Sequence, residues 1–165
     1  MGERVGRLTA EVDRSGFACG VETIDRWFRD RSLSWQRQRI ATTYVLLNAE
    51  DNVDAFYTLS AASTVASAAS GASRRKPSRI EWPAVLIGQL AVHEGRQGEG
   101  LGRLLVGEAV NRCVAISEGV AVMYVLTDPI NGAARAFYRS LDFLDSADGS
   151  DRMFLPLKSV DPAGG

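Results

Sequence analysis

Histidine is nearly absent from this chain: His93 is the only one in 165 residues, and there are only two cysteines. Cys19 and Cys113 stand at no metal-ligand spacing, so no metal site is expected and both read as free thiols of a reducing cytosol. No apolar run is long enough to cross a membrane, and no signal peptide is visible. A soluble, cytoplasmic protein with no membrane partner is expected. Positive charge is not in excess either. The 19 Lys and Arg against 20 Asp and Glu leave a net charge of −1, which excludes an overall basic field for nucleic acid and leaves only local patches. Internal repeats and a domain linker are also missing. The length suffices for one domain with a real core. Residues 1–158 are assigned to it, with 159–165 as a flexible tail.

What the chain does have is a concentration of glycine, in Arg96-Gln97-Gly98-Glu99-Gly100-Leu101-Gly102. This stretch lies between an apolar run, Pro83 to Val92, read as a buried strand, and an amphipathic run, Leu101 to Ile116, read as a helix. Helical spacing puts Leu101, Leu104, Leu105, Ala109, Cys113 and Ile116 on one face. A glycine-rich loop therefore turns from a strand into a helix N-terminus, where amides lack intrahelical partners and the helix dipole is positive. Glycine permits unusual backbone angles and close approach. With Arg96 and Arg103 adding charge, the stretch predicts a phosphate or pyrophosphate pocket. It is not a Walker loop, because no Gly-Lys-Ser/Thr triplet follows. It is not a dinucleotide fingerprint, because Arg103 holds the position of the third glycine. What remains is Gln97-x-x-Gly100-x-Gly102 after Leu90-Ala91-Val92.

Around this centre the chain reads as alternating elements. Arg4 to Val12 is a first strand. Val21 to Arg39 is a helix, with Ile24, Trp27, Phe28 and Trp35 on its apolar side and Arg26, Arg29, Arg37 and Arg39 on a solvated one. Thr42 to Ala49 and Val53 to Ser60 form a hairpin across Asp51-Asn52. Ala61 to Ser73, almost all Ala and Ser, permits a short helix. Arg74, Arg75, Lys76 and Arg79 then form a basic exposed loop, in which Pro77 prevents a continuous helix. After the glycine loop and its helix, closed near Gly119, Val120 to Thr127 is a second buried strand parallel to Pro83–Val92. Asn131 to Leu141 is a helix and Arg152 to Leu157 a last strand.

The loop resembles the pyrophosphate loop of the GNAT N-acetyltransferases, and Asn131-x-x-Ala134-x-x-Phe137-Tyr138-x-x-x-Asp142-Phe143 resembles their second signature. The resemblance implies an α/β fold with a mixed (α+β) central sheet flanked by helices, and a βαβ unit that binds acetyl-CoA. It implies cofactor contacts from Leu90, Ala91, Val92, Gln97, Gly98, Gly100, Leu101, Gly102 and Arg103, and contacts with the pantetheine arm from Asn131, Ala134 and Phe137. Tyr138 stands where the family has the tyrosine that protonates the departing thiolate. Asp142 stands where the family usually has glycine. Direct transfer of acetyl to an amine needs such a proton donor. It also needs a donor for the developing oxyanion, for which a backbone N–H near Leu90 to Val92 is the source. No base is evident. His93 is read as a surface or loop-bracing residue, and Glu81 and Glu94 are left as possible relays through water. An α-amine, with a pKa of about 7.7–8.0, is partly neutral at pH 7, whereas a lysine at about 10.4 is not. The missing base therefore suits an α-amine.

The match extends over most of the chain. Phe17-x-Cys19-Gly20-x-x-x-Ile24-Asp25-x-Trp27-Phe28, Thr43-Tyr44-Val45 and Phe56-Tyr57-x-Leu59-Ser60 resemble the acetyltransferase toxins of bacterial type II toxin–antitoxin modules. That resemblance implies acetylation of the α-amine of an aminoacyl-tRNA, arrest of translation, a homodimer, and silencing by a small antitoxin with a ribbon–helix–helix DNA-binding part. Arg74, Arg75, Lys76 and Arg79 are the expected tRNA contacts. Two other classes remain open on the residues alone. One is a GNAT enzyme acting on a small amine or a protein N-terminus. The other is a module that binds CoA or a partner without turnover.

Overall fold

Sheet pairing, more than local propensity, decides where the elements of this chain begin and end. A computed structural model describes residues 2–65 and 81–160. The strands are β1 (Arg4–Arg7), β2 (Thr42–Leu47), β3 (Val53–Val65), β4 (Glu81–Val92), β5 (Tyr124–Thr127), β6 (Leu144–Asp145) and β7 (Met153–Pro156). The helices are α1 (Glu22–Asp30), α2 (Ser32–Arg37), α3 (Leu101–Ser117) and α4 (Gly132–Arg139), with short 3-10 turns at Glu94–Arg96 and Leu157–Ser159. The strands form a seven-stranded mixed sheet in the order β1-β2-β3-β4-β5-β7-β6. β4 and β5 are parallel; β1–β2, β2–β3, β5–β7 and β6–β7 are antiparallel. The basic residues Arg74, Arg75, Lys76 and Arg79 lie outside the described residues.

The chain divides into two compact units, Met1–Ser60 with Gly88–Ala109, and Ala61–Ile87 with Val110–Gly165. The first has an aromatic core. Phe28 stacks on Phe56 with ring centroids 4.2 Å apart, and Phe17 meets both edge-on at 5.1 and 5.3 Å. Leu8, Val45, Val53 and Ala91 complete it. The long helix expected over Val21–Arg39 is two helices. At the break, the Ser32 hydroxyl donates to the carbonyl of Phe28, a back-bond that bends helices. The bend serves Gln36, whose buried amide donates to Leu8 O at 2.8 Å and accepts from Thr43 N at 3.0 Å. The first strand is also shorter than expected. It ends at Arg7, although Leu8 is buried and its amide still reaches Thr43 O at 2.8 Å.

In the second unit, Trp82 stacks flat on Tyr124 with centroids 5.8 Å apart, and Phe154 meets Tyr124 edge-on at 5.4 Å. Every residue of β5 is buried, as expected of a strand covered on both faces. β5 is nonetheless half the length of the apolar run Val120–Thr127. Its ladder starts at Ala84↔Tyr124, and Val120 is 69% exposed. Ala61–Val65, where a short helix was allowed, instead continues β3. Alanine's helix preference is weak beside a sheet partner. The short strand β6 had no sequence signal.

Along α3 the buried residues are Leu101, Leu105, Val106, Ala109, Val110 and Cys113, whereas Leu104 and Ile116 of the expected face are 48% and 39% exposed. The apolar stripe is rotated away from Leu104, and Val106 and Val110 take its place. The helix ends at Ser117, next to the expected stop at Glu118–Gly119, although Gly119 is not among the residues with positive φ.

Helix α4 closes with a Schellman turn. Phe143 N–H reaches Tyr138 O at 3.2 Å, and Asp142 N–H reaches Arg139 O at 3.1 Å. Those two crossing bonds put Asp142 at the position that favours glycine, and its φ is +70. The turn is therefore built despite the missing glycine, at the cost of a left-handed non-glycine residue. Asp142→Gly should stabilise the fold by about 1 kcal/mol, seen as a rise in Tm of about 2–4 °C. An unchanged or lower Tm would show that the aspartate itself supplies something to the turn.

Candidate active site

The glycine loop is built by a change of pairing on β4. Its parallel ladder with β5 stops at Ile87↔Thr127, so the backbone of Gly88–Val92 runs on without that partner. Within this stretch Ala91 is buried in the aromatic core and Leu90 and Val92 are half-buried. The 3-10 turn follows, capped by His93, whose Nδ1 accepts from Gly95 N at 3.0 Å. The His93 ring also meets Phe17 edge-on at 5.9 Å, and its amide donates to Asp54 O at 2.8 Å. Histidine here braces the turn.

Gly98 and Gly100 have φ of +83 and +84, and a Cβ on either would meet nothing within 4 Å. They supply left-handed backbone on an open side of the loop. The first helical bond of α3 is Leu104 N–H to Gly100 O at 3.1 Å. The amides of Leu101, Gly102 and Arg103 precede it and have no acceptor within the helix. Exposed glycine backbone followed by unpaired amides at a positive helix end fits a pyrophosphate.

The side chains around the loop differ from expectation. Gln97 is occupied in bracing: its Nε2 donates to Cys19 O at 2.8 Å and Val92 O at 3.0 Å. Arg96 does not offer its charge to an anion. It pairs with Glu3 at 2.6 Å, with Glu99 at 2.6 Å, and with Asp54. Hydrogen bonds to Glu3 and Glu99 hold its pKa well above the ordinary arginine value. Arg103, exposed on the first turn of α3, forms no ion pair among the described residues. Between Arg96 and Arg103, it is the one whose charge no described carboxylate takes up. Neither Asp54 nor the pairing of Arg96 was foreseen. The available signal was a carboxylate inside the apolar run Val53–Ser60, and Asp54 is 5% exposed.

In the second unit, α4 carries the other expected residues. Asn131 is its N-cap, with Oδ1 accepting from Ala134 N at 2.8 Å. Ala134 and Phe137 are half-buried and Tyr138 is buried. The Tyr138 ring stands edge-on to Phe137 and to Phe143, both with centroids 5.2 Å away. Burial pushes the Tyr138 phenol above its usual pKa, partly opposed by a hydrogen bond with the Thr127 side chain. Thr127 is itself buried, with its hydroxyl 3.5 Å from Ile87 O. This polar neighbour also went unforeseen. Its signal was a hydroxyl ending an otherwise apolar strand.

Of the two carboxylates kept as relays, Glu81 opens on a cavity of about 440 Å³ in the second unit, with Asp128, Asp148, Asp151 and Arg152. Arg152 there binds Asp128 through two bonds of 2.8 Å. Glu94 belongs to the first unit, its amide on Ala18 O at 2.8 Å. Cys19 and Cys113 are free thiols, and burial pushes the Cys19 thiol up to about 11. Among the described residues, no three His, Cys, Asp or Glu are grouped to hold a metal, and no helix is long and apolar enough to cross a membrane.

The chain is 31% identical over 155 residues to a tRNA-acetylating toxin of Mycobacterium tuberculosis (strain ATCC 25618 / H37Rv), covering 93% of this chain and 92% of that protein. AtaT, solved in complex with acetyl-methionyl-tRNAfMet, superposes with a TM-score of 0.88 at 27% identity, covering 95% of this chain and 96% of AtaT. A tyrosine-to-phenylalanine mutant of KacT has the same fold, with a TM-score of 0.90 at 23% identity over 96% and 97% of the two chains. The family model for the acetyltransferase (GNAT) family matches residues 21–143, which include the glycine loop and the Asn131–Phe143 signature, and the chain belongs to that family.

Proposed function

We propose that this chain is an acetyl-CoA-dependent N-acetyltransferase toxin that acetylates the α-amine of an aminoacyl-tRNA in the cytoplasm and is silenced by an antitoxin. The observation that carries this reading is the 31% identity to a tRNA-acetylating toxin along 93% of the chain. It is supported by AtaT, solved with an acetylated methionyl-tRNA and, as a mutant, with acetyl-CoA and the C-terminus of its antitoxin AtaR.

Acetyl-CoA, when bound, supplies an acetyl group already activated toward amines. The work of the protein is to hold, orient and move one proton. The amides of Gly98 to Arg103 and the positive end of α3 hold the pyrophosphate. The backbone of Leu90 to Val92 orients the pantetheine arm and donates to the developing oxyanion. Asn131, Ala134 and Phe137 line the arm from α4. As the C–N bond forms and the C–S bond breaks, Tyr138 donates its proton to the leaving sulfur, and the proton given up by the attacking amine restores it through water. Its burial suits that role, because a phenol with a raised pKa is fully protonated at working pH. An α-amine nucleophile at pKa about 7.7–8.0 needs little help from a base. The Arg74, Arg75, Lys76 and Arg79 segment holds tRNA phosphates, and a ribbon–helix–helix antitoxin is the expected regulator.

Three outcomes check this reading. Gly100→Glu puts a side chain and a negative charge into the anion site, and calorimetry should show CoA affinity falling at least tenfold, about 1.4 kcal/mol. Full affinity in a folded mutant would remove the loop from the cofactor site. Tyr138→Phe should lower kcat by about 10²–10⁴-fold with acetyl-CoA binding kept. Because burial raises the Tyr138 pKa, the wild-type rate should also show no alkaline loss from this group below about pH 10. A mutant with near-normal kcat would assign the proton to water. Finally, labelled acetyl-CoA and a mixture of charged tRNAs should yield acetylated aminoacyl-tRNA. Neutralising Arg74, Arg75, Lys76 and Arg79 should weaken tRNA use and flatten its salt dependence, each lost phosphate contact removing a slope of about 0.7–0.9. No acetylated product from wild type would dismiss the substrate, and identical salt curves would dismiss the basic segment.

A further inference from the structure

The cofactor loop carries a charge of the wrong sign. Glu99 sits between Gly98 and Gly100, in the backbone turn read as the pyrophosphate site. Its carboxylate is half exposed, and its only ion pair among the described residues is with Arg96 Nε, at 2.6 Å. The same guanidinium binds Glu3 beside β1 through NH2 at 2.6 Å, and Asp54 near the start of β3 through NH1. Asp54 is nearly buried, with 8% of its side chain exposed, and accepts a second bond from Asn48 Nδ2 at 3.1 Å. Arg96 thus anchors on a buried carboxylate at one end and grips a loop carboxylate at the other. Only a planar fork with several fixed donors can do both, which a lysine ammonium cannot copy.

We propose that Arg96 is a positioning residue for acetyl-CoA: it neutralises Glu99 and ties it back toward Asp54 and Glu3, so that the Gly98–Gly102 backbone meets the pyrophosphate without a competing negative charge. The inference rests on the reading of this loop as the CoA site. It differs from the role that charge alone suggests, because Arg96 acts on the loop and not on the phosphate. Without it, Glu99, Glu3 and Asp54 would all stand uncompensated near an anion, and their repulsion would be largest at low ionic strength.

The test is calorimetric titration of CoA into wild type, Arg96→Met, Glu99→Gln and the double variant, at about 50 mM and about 500 mM salt. Arg96→Met should bind CoA at least tenfold more weakly at low salt, with the gap narrowing at high salt. Adding Glu99→Gln should recover most of the loss, and Glu99→Gln alone should bind at least as well as wild type. In turnover assays Arg96→Met should raise KM for acetyl-CoA, with kcat at saturation within about twofold of wild type. Should Arg96→Met fail to fold, Arg96→Lys keeps a charge beside Asp54 and should show the same pattern at smaller amplitude. Wild-type CoA affinity in a folded Arg96 variant would overturn the proposal. So would a loss that salt and Glu99→Gln leave unchanged, which is what a purely structural role would give. Failure of wild type itself to bind CoA would instead overturn the cofactor reading of the loop.

Discussion

A strand is not expected to leave its backbone groups unpaired without a substitute, and β4 stops pairing with β5 at Ile87↔Thr127. Much of the proposed chemistry follows from this interruption. Upstream, β4 and β5 are conventional parallel neighbours over the Trp82, Tyr124 and Phe154 cluster. Downstream, Gly88 to Val92 continue as strand with Ala91 in the aromatic core. Where the strand ends, the Gln97 amide donates to Val92 O at 3.0 Å.

In the proposed function, the loop after this strand holds the cofactor through backbone more than through side chains. Glycine angles at Gly98 and Gly100, and the unpaired amides ahead of Leu104, supply the positive end. The obvious cation, Arg96, is already engaged by carboxylates. Such a division has a physical advantage. Backbone amides fixed by a helix need no reordering when an anion arrives, whereas a long side chain must be immobilised. The charged groups then serve to fix the loop.

Tyr138 shows the same economy on α4. Its ring is held between Phe137 and Phe143, and Phe143 is the residue whose amide closes the Schellman turn on Tyr138 O. One turn both ends the helix and packs the proposed proton donor. The left-handed Asp142 within it is a cost the fold carries, consistent with a turn whose geometry matters more than its local stability.

The glycine spacing after an apolar strand and the Asn131–Phe143 signature were legible in the sequence because they are local. Each needs only neighbours within one or two turns, and backbone sterics and capping decide it. Non-local facts were not legible. The length of β5, the extension of β3 through Ala61–Val65, the break between α1 and α2, and the rotation of the α3 face all depend on partners distant in sequence. The fate of Arg96 is the clearest case. Beside a glycine loop its charge alone suggests a phosphate ligand. Only the fold brings Glu3 and Asp54, 93 and 42 residues away, to the same guanidinium. A charge announces itself in sequence, but its partner is chosen by tertiary structure, because Coulomb energy depends on distance through space and not along the chain.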